Sequence, residues 1–413
     1  MTTALETALL ADVTAAADDV VALCARLVDA PSVNPPGDTR AVARVMRAEL
    51  AEYGLPCELV AVDERMPSVV AHLDSGRPGP HLILNVHLDT MEPGDEAAWT
   101  VPIWEMTRRD GRLYGLGMGN MKGAVAAMTT AYRLLARHRR SWSGRVTFAA
   151  VSDECVFGEH GAAYLLASRP ADVQGDAVLN GEGPGSMRLA LAEKGVAWYE
   201  LSATGEGGHA SGARRGQSPP VRLASALLAL DELNDLVVPR PPGLEEVLAD
   251  DVEAGRLSIN VGTLAGGSFV SQLARSAHAQ LDARVPPGLA LATLDDEIDQ
   301  RVSPHGVAWR RIKGWEANWS GLNVPFVAAV SEVVREVRQQ PCVPTVRLPA
   351  SDASRWRLRG VPAVCFGPQP GLSAGVDDYA NERDVLDCAR VYALTAARFL
   401  GGHTTPPTEG DIT

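Results

Sequence analysis

Short apolar runs alternate with helically spaced segments, and this alternation constrains the fold more than any other feature of the chain. Residues 68–73, 81–86 and 144–151 read as buried strands. Before them, residues 5–29 place Leu9, Val13, Val20, Leu23 and Leu27 at three- and four-residue steps, the spacing of an amphipathic helix. Residues 39–53 and 122–137 repeat that spacing, and another helix starts at 161–166. Pro31, Pro35, Pro36 and Gly37 separate the first helix from the second, which stops near Gly54. Strands alternating with helices predict a mostly parallel sheet covered on both faces.

The pattern changes after residue 187. Residues 196–204 alternate as a strand does, 219–234 read as a long helix, and 258–264 and 278–285 are strand-like again. From 306 the first pattern returns, with a helix at 324–339, a strand at 363–367 and a closing helix at 384–400. The predicted fold class is therefore α/β. A mostly parallel mixed-sheet domain in two parts, 1–187 and 306–413, is interrupted by an inserted α+β domain at 188–305. The Thr- and Pro-rich segment after Gly401 is expected to be disordered.

The formal charge is −13, from 38 basic and 51 acidic residues. That argues against nucleic acid or an anionic membrane as the main partner. Cys24, Cys57, Cys155, Cys342, Cys365 and Cys388 contain no C-x-x-C pair, so neither a disulfide framework nor a zinc ribbon is expected, and a reducing cytoplasm is the expected location. Glu6, Asp12, Asp18 and Asp19 interrupt the apolar start, so no signal peptide is expected. No apolar run approaches the roughly 20 residues that span a bilayer.

Five polar motifs fall at predicted strand ends or helix starts. Asn85-Val86-His87-Leu88-Asp89-Thr90 ends an apolar strand. There an imidazole can bind a metal while a nearby carboxylate fixes its tautomer; by itself, H-x-D is more often an ordinary strand end followed by an aspartate turn. Residues 111–123, with Gly115, Gly117, Gly119, Asn120 and Lys122, form a glycine-rich loop that opens a helix but lacks the phosphate-loop spacing. Ser152-Asp153-Glu154-Cys155, Asn180-Gly181-Glu182-Gly183-Pro184 and Gly205-Glu206-Gly207-Gly208-His209-Ala210-Ser211 complete the set. Each alone has a plain reading as a polar loop.

Their order and spacing together, from Leu27-Val28-Asp29-Ala30-Pro31-Ser32-Val33-Asn34-Pro35 to Gly360-Val361-Pro362-Ala363-Val364-Cys365-Phe366-Gly367-Pro368, resemble a known family. It is the zinc-dependent family of aminoacylase, carboxypeptidase G, acetylornithine deacetylase and succinyl-diaminopimelate desuccinylase. The resemblance implies a catalytic α/β domain with two zinc ions, an inserted lid domain that often dimerises, and hydrolysis of an amide next to a carboxylate. By the same resemblance His87 matches a metal-binding histidine and Asp89 its orienting partner. Glu154 matches the general base, Glu182 a carboxylate ligand, and His209 the lid histidine that polarises the substrate carbonyl. Arg284 matches a recurring lid arginine, with Arg275 an alternative for the substrate carboxylate. Asp352 and Arg355 fall in a segment similar to the substrate-facing loop.

Three positions depart from the family pattern. Asn120 stands for a bridging aspartate, Cys155 for a second glutamate, and Gly375 for a late histidine ligand. Asparagine offers only a neutral oxygen, and glycine offers no side chain. The metal set shrinks to His87, Glu182 and a weak Asn120, short of the usual catalytic zinc site. Losing two acids together suits a pocket with no metal, or with one zinc ion weakly held, since clustered carboxylates without cations are costly. A rebuilt two-ion site would need the Cys155 thiolate, His160, and Asp377 or Asp378. The bland alternatives are a buried filler for Cys155 and a surface histidine for His160.

The functional expectation is an enzyme acting on a C–N bond of a small amino-acid-derived molecule, with Glu154 as proton carrier. His209 would face the oxyanion, His87 and Asp89 would act as an acid/base pair, and Cys155 is a candidate nucleophile. The alternatives are an ordinary zinc amidohydrolase with unusual ligands, and an inactive relative that binds a small molecule or partner. A homodimer through the lid domain is implied by the resemblance alone.

Overall fold

The computed structural model describes residues 3–371 and 375–401. The segment after Gly401 that was expected to be disordered lies outside the described residues, as do three residues of the late loop. The chain divides into two compact units. One holds the residues up to Leu191, Ser320–Thr345 and those from Ser351 on; the other holds Ala192–Trp319 and Val346–Ala350.

The first unit is built on a mixed sheet. The strand His81–His87 lies at its centre, with all seven residues buried. It runs parallel to Arg145–Val151 on one side and to Ala177–Asn180 on the other, with His87 opposite Val151 and Asn85 opposite Asn180. Ala363–Cys365 extends the parallel set beyond Ala177–Asn180. Ser68–Asp74 and then Glu58–Val60 close the other edge antiparallel. Burial on both faces explains why these strands read as continuous apolar runs rather than alternating ones. Val70, Ile83, Ala149, Val151, Val178 and Trp356 share one buried cluster.

The helices follow the sequence with two differences. The single helix expected at 5–29 is two, Ala4–Ala15 and Ala17–Val28, broken at Ala16. Thr3 and Glu6 close a capping box on the first, satisfying two otherwise orphan N–H groups. The helix Gly123–Arg137 starts one residue later than expected, because the glycine loop runs on through Lys122. A small antiparallel sheet of Tyr379–Asn381, Arg112–Tyr114 and Thr107–Arg109 was not foreseen. It ties the glycine loop to the segment around Asp378.

The second unit is an antiparallel sheet of Ser258–Gly266, Ser276–Val285, Gly195–Thr204 and Ala308–Trp315, in that order. Tyr199, Leu201, Leu281, Leu223, Leu294 and Ile298 join its strands to the helices Pro219–Asp231 and Leu291–Val302 in one core. The sequence pattern placed the inserted block at 188–305. The compact unit reaches Trp319, because Ala308–Trp315 pairs with Gly195–Thr204 rather than rejoining the first sheet.

Candidate active site

The site forms where parallel strands of the first unit end. His87 is the last residue of its strand and is buried. Its Nδ1 lies 2.9 Å from the Asp89 carbonyl oxygen and 3.5 Å from Asp89 Oδ1. Held so, the ring turns Nε2 into the pocket, 3.1 Å from Asn120 Oδ1 and 3.8 Å from Glu154 Oε2. Asn120 Nδ2 in turn lies 3.5 Å from Glu182 Oε1.

Asp89 organises the neighbouring turn. Its Oδ1 accepts the Glu154 N–H at 3.1 Å, and its Oδ2 accepts the Cys155 N–H and the Asn34 amide, each at 2.9 Å. Asn34 also donates to Asp153 Oδ1 at 3.1 Å. On the other side, Asn180 accepts the Glu182 N–H at 2.7 Å, and its own amide donates to Asn85 at 2.6 Å. Asn85 thus supports Glu182 from one strand away.

The charges are set by burial and by one another. Burial would push the Glu154 carboxyl up, Glu182 adds to that, and His87 only partly offsets it, so the group sits well above its usual range. Asp352 is likewise pushed up to about 7, chiefly by burial. For His87 burial works downward, but the Asp89 hydrogen bond and the Glu154, Asp89 and Glu182 charges outweigh it and hold the imidazole well above its ordinary value. Asp89 shows the reverse: burial would raise it, yet His87, Asn34 and the Cys155 amide keep it ionised below its usual value. The Cys155 thiol is pushed up by burial and by Asp89, Glu154 and Glu182. That environment favours the thiol over the thiolate, the reverse of what a nucleophilic cysteine needs.

Two sets of candidate ligands come together among the described residues: His87, Glu154 and Glu182, and His87, Asp89 and Cys155, each within 4.8 Å. His87 and Glu182 of the first, with the neutral Asn120 oxygen beside them, could hold one divalent cation. The second does not make a further site, because it shares His87 and its Asp89 oxygens already accept three N–H groups. Among the described residues no second ligand set independent of His87 comes together. Of the residues considered for rebuilding a two-ion site, Cys155 joins the second set, while His160, Asp377 and Asp378 join neither. Asp377 accepts the Thr100 N–H and hydroxyl at 2.8 and 2.6 Å. Asp378 accepts the Gly117 and Gly119 N–H groups at 2.9 and 3.2 Å. His160 is half-buried, its Nδ1 3.9 Å from Asp153 Oδ2. A side chain at Gly375 would have no neighbour within 4 Å.

Of the expected substrate groups, Asp352 is buried and Arg355 lies 3.4 Å from it, while also donating to the Gly158 carbonyl at 2.7 Å. His209 and Arg284 belong to the second unit. His209 is exposed, its Nδ1 2.8 Å from the Ser211 hydroxyl. Arg284 is engaged by Asp282 of its own strand at 2.7 and 3.1 Å. Sequence reasoning assigned no role to Asn34, Asn85 or Asn180, and weighed Asp378 only as a possible metal ligand; their partners are set by the fold.

A histidine and two glutamates thus gather at the carboxyl ends of parallel strands, in an α/β domain that accompanies a separate α+β unit, an arrangement in keeping with a peptidase- or amidohydrolase-like enzyme. The family model described as Peptidase family M20/M25/M40 matches residues 83–398, and the chain belongs to that family. It is 32% identical over 401 residues to a succinyl-diaminopimelate desuccinylase of Rhodospirillum centenum, covering 94% of this chain and 98% of that one. It is 26% identical over 296 residues to an acetylornithine deacetylase of Proteus mirabilis, covering 70% and 73%. Among solved structures it is similar to a dinuclear metal-binding peptidase of the M20 family from Bacillus subtilis, with a TM-score of 0.71, 13% identity, and 94% and 99% of the two chains covered. No helix among the described residues is long and apolar enough to cross a membrane.

Proposed function

We propose that this enzyme hydrolyses the amide of a small N-acyl amino acid or a related molecule, in a pocket that works with at most one metal ion. One observation carries this reading. The Asn120 amide stands between His87 and Glu182, where the family resemblance implies a bridging carboxylate, and beside it Glu154 keeps a carboxyl with raised proton affinity. The relatives named as a deacetylase and a desuccinylase support an N-acyl amino acid as the substrate class.

In this reading Glu154 takes a proton from the attacking water and returns it to the leaving nitrogen. A carboxyl whose pKa is raised toward the working pH is suited to both directions. Without a metal, Asp89 fixes the His87 ring, whose Nε2–H faces the pocket and stabilises the developing oxyanion. One zinc ion fits His87, Glu182 and the Asn120 oxygen, and bound there it would polarise the carbonyl and acidify water. By resemblance His209 assists at the carbonyl, and Arg284 or Arg275 receives a substrate carboxylate. Cys155 is not needed as a nucleophile.

The same reading places the enzyme in the cytoplasm, in keeping with its six free cysteines. It also pairs two copies through the second unit. The apolar side chains of Leu228, Leu264, Phe269 and Val270, all exposed in that unit, support this.

The test is metal analysis of protein purified without chelator, alongside turnover of N-acetyl and N-succinyl amino acids with and without chelator. No more than one ion per chain is expected, with turnover surviving chelation. Two fully occupied ions per chain, with strict dependence on them, would overturn the proposal.

A further inference from the structure

We infer that Asp378 is a positioning residue for Asn120: its carboxylate grips the glycine loop from behind and sets where the Asn120 amide meets His87. The inference rests on the reading above of Asn120 as the group between His87 and Glu182.

The geometry is specific. Asp378 Oδ2 accepts the Gly117 N–H at 2.9 Å and Oδ1 accepts the Gly119 N–H at 3.2 Å, so one carboxylate holds two amides that bracket Met118. The Asp378 carbonyl takes the Gly115 N–H at 2.9 Å, extending the grip to the start of the loop. Asn120 follows directly, with Oδ1 3.1 Å from His87 Nε2. On the other side the loop has no room to retreat. Gly117 has φ +84°, and a Cβ there would lie 2.4 Å from Thr90 Cγ2. Lys122 closes the loop from below, its N–H donating to the Gly117 carbonyl at 2.7 Å and its buried ammonium to the Ala30 carbonyl at 3.2 Å.

An ordinary loop anchor would tie the chain anywhere along 111–123. This one ties the amides two and four peptide units from the Asp378-bonded Gly115, immediately before the residue that touches His87. The adjacent Asp377 offers a contrast built into the same segment. It binds Thr100, away from the glycine loop. Substituting it removes a tether of similar chemistry without touching the path to Asn120.

The experiment reads His87 rather than turnover. Chelator-treated full-length protein, labelled with 15N at histidine, gives imidazole spectra in which His87 is assigned by its disappearance in His87→Gln. Asn120→Ala removes the Nε2 partner and sets the reference shift. Asp378→Asn, which turns an N–H₂ toward one of the two glycine amides, is expected to move the His87 Nε2 signal in the same direction. Asp377→Ala is expected to leave it in place. If Asp378→Asn does not fold, Asp378→Glu carries the same expectation, since it keeps the charge but displaces the grip. A folded Asp378 variant with the His87 signal at its original position overturns the inference, as does an equal shift in Asp377→Ala. Because no turnover is read, the hydrolase reading can fail while this one stands.

Discussion

The side-chain oxygen of Asn120 lies 3.1 Å from Nε2 of His87, and the nitrogen of the same amide lies 3.5 Å from Glu182. A neutral group therefore spans the space between an imidazole and a carboxylate. A carboxylate there would add negative charge beside Glu182 and Glu154, and would be stable mainly with cations to offset it.

Asn120→Asp should convert the pocket toward metal dependence. Zinc affinity measured by titration calorimetry is expected to rise by on the order of 10- to 100-fold, the range typical of perturbing a metal site. Thermal stability should fall without zinc and recover with it. Unchanged affinity would mean that residue 120 does not face the ion.

Glu154→Gln removes the proposed proton carrier while keeping its shape. Turnover of N-acyl amino acids should fall by about 10²- to 10⁴-fold, the usual contribution of a general base. The melting temperature should hold or rise, because a buried carboxyl crowded by Glu182 and Asp352 is lost. Retained turnover would remove Glu154 from the chemistry.

Stability should decline with pH in a window set by Asp352. Its folded-state carboxyl titrates at about 7 against 3.8 for the unconstrained group. Between those values the unfolded chain has released the proton and the folded chain still holds it, so raising the pH favours unfolding. In urea unfolding at pH 4.5 and 7 with chelator present, Asp352→Asn should reduce that decline by on the order of 2–4 kcal/mol. An identical pH slope in the variant would place the proton elsewhere.

Cys155→Ser should keep turnover within about twofold, since catalysis by a thiol requires the thiolate and this one is held protonated by burial and three acids. Loss of turnover in a folded variant would return Cys155 to the mechanism.

Asn34→Ala strips one donor from each of two buried carboxylates, Asp89 and Asp153. Unfolding in urea should show a loss of about 1–3 kcal/mol. Turnover should fall with it, because Asp89 also holds the backbone of Glu154.

Much of this molecule is legible in its sequence, and the failures have physical causes. The strands His81–His87 and Arg145–Val151 announced themselves because burial on both faces leaves almost no polar interruption. The strands Thr107–Arg109, Arg112–Tyr114 and Tyr379–Asn381 are three residues long, too short to show any period, and the first two carry exposed arginines. The break at Ala16 has no proline or glycine to mark it. At the site, the residues that replace expected ligands stood out through resemblance. The groups that hold them did not, because Asn34 and Asp378 reach partners 55 and 261 residues away. Arg284 and Asp282 are different: two residues apart on one strand, they share a face, so their pairing was readable and was overlooked.

The amide chain from Asn85 through Asn180 to Glu182 crosses two adjacent parallel strands at one fixed pairing. A slip of a single residue would turn either asparagine to the opposite side of the sheet. The polar floor of the pocket thus exists in one alignment of the strands and in no neighbouring one. Peripheral helices can fray without disturbing it, but any sheet that mispairs during refolding would yield a compact chain with nothing beneath Glu182.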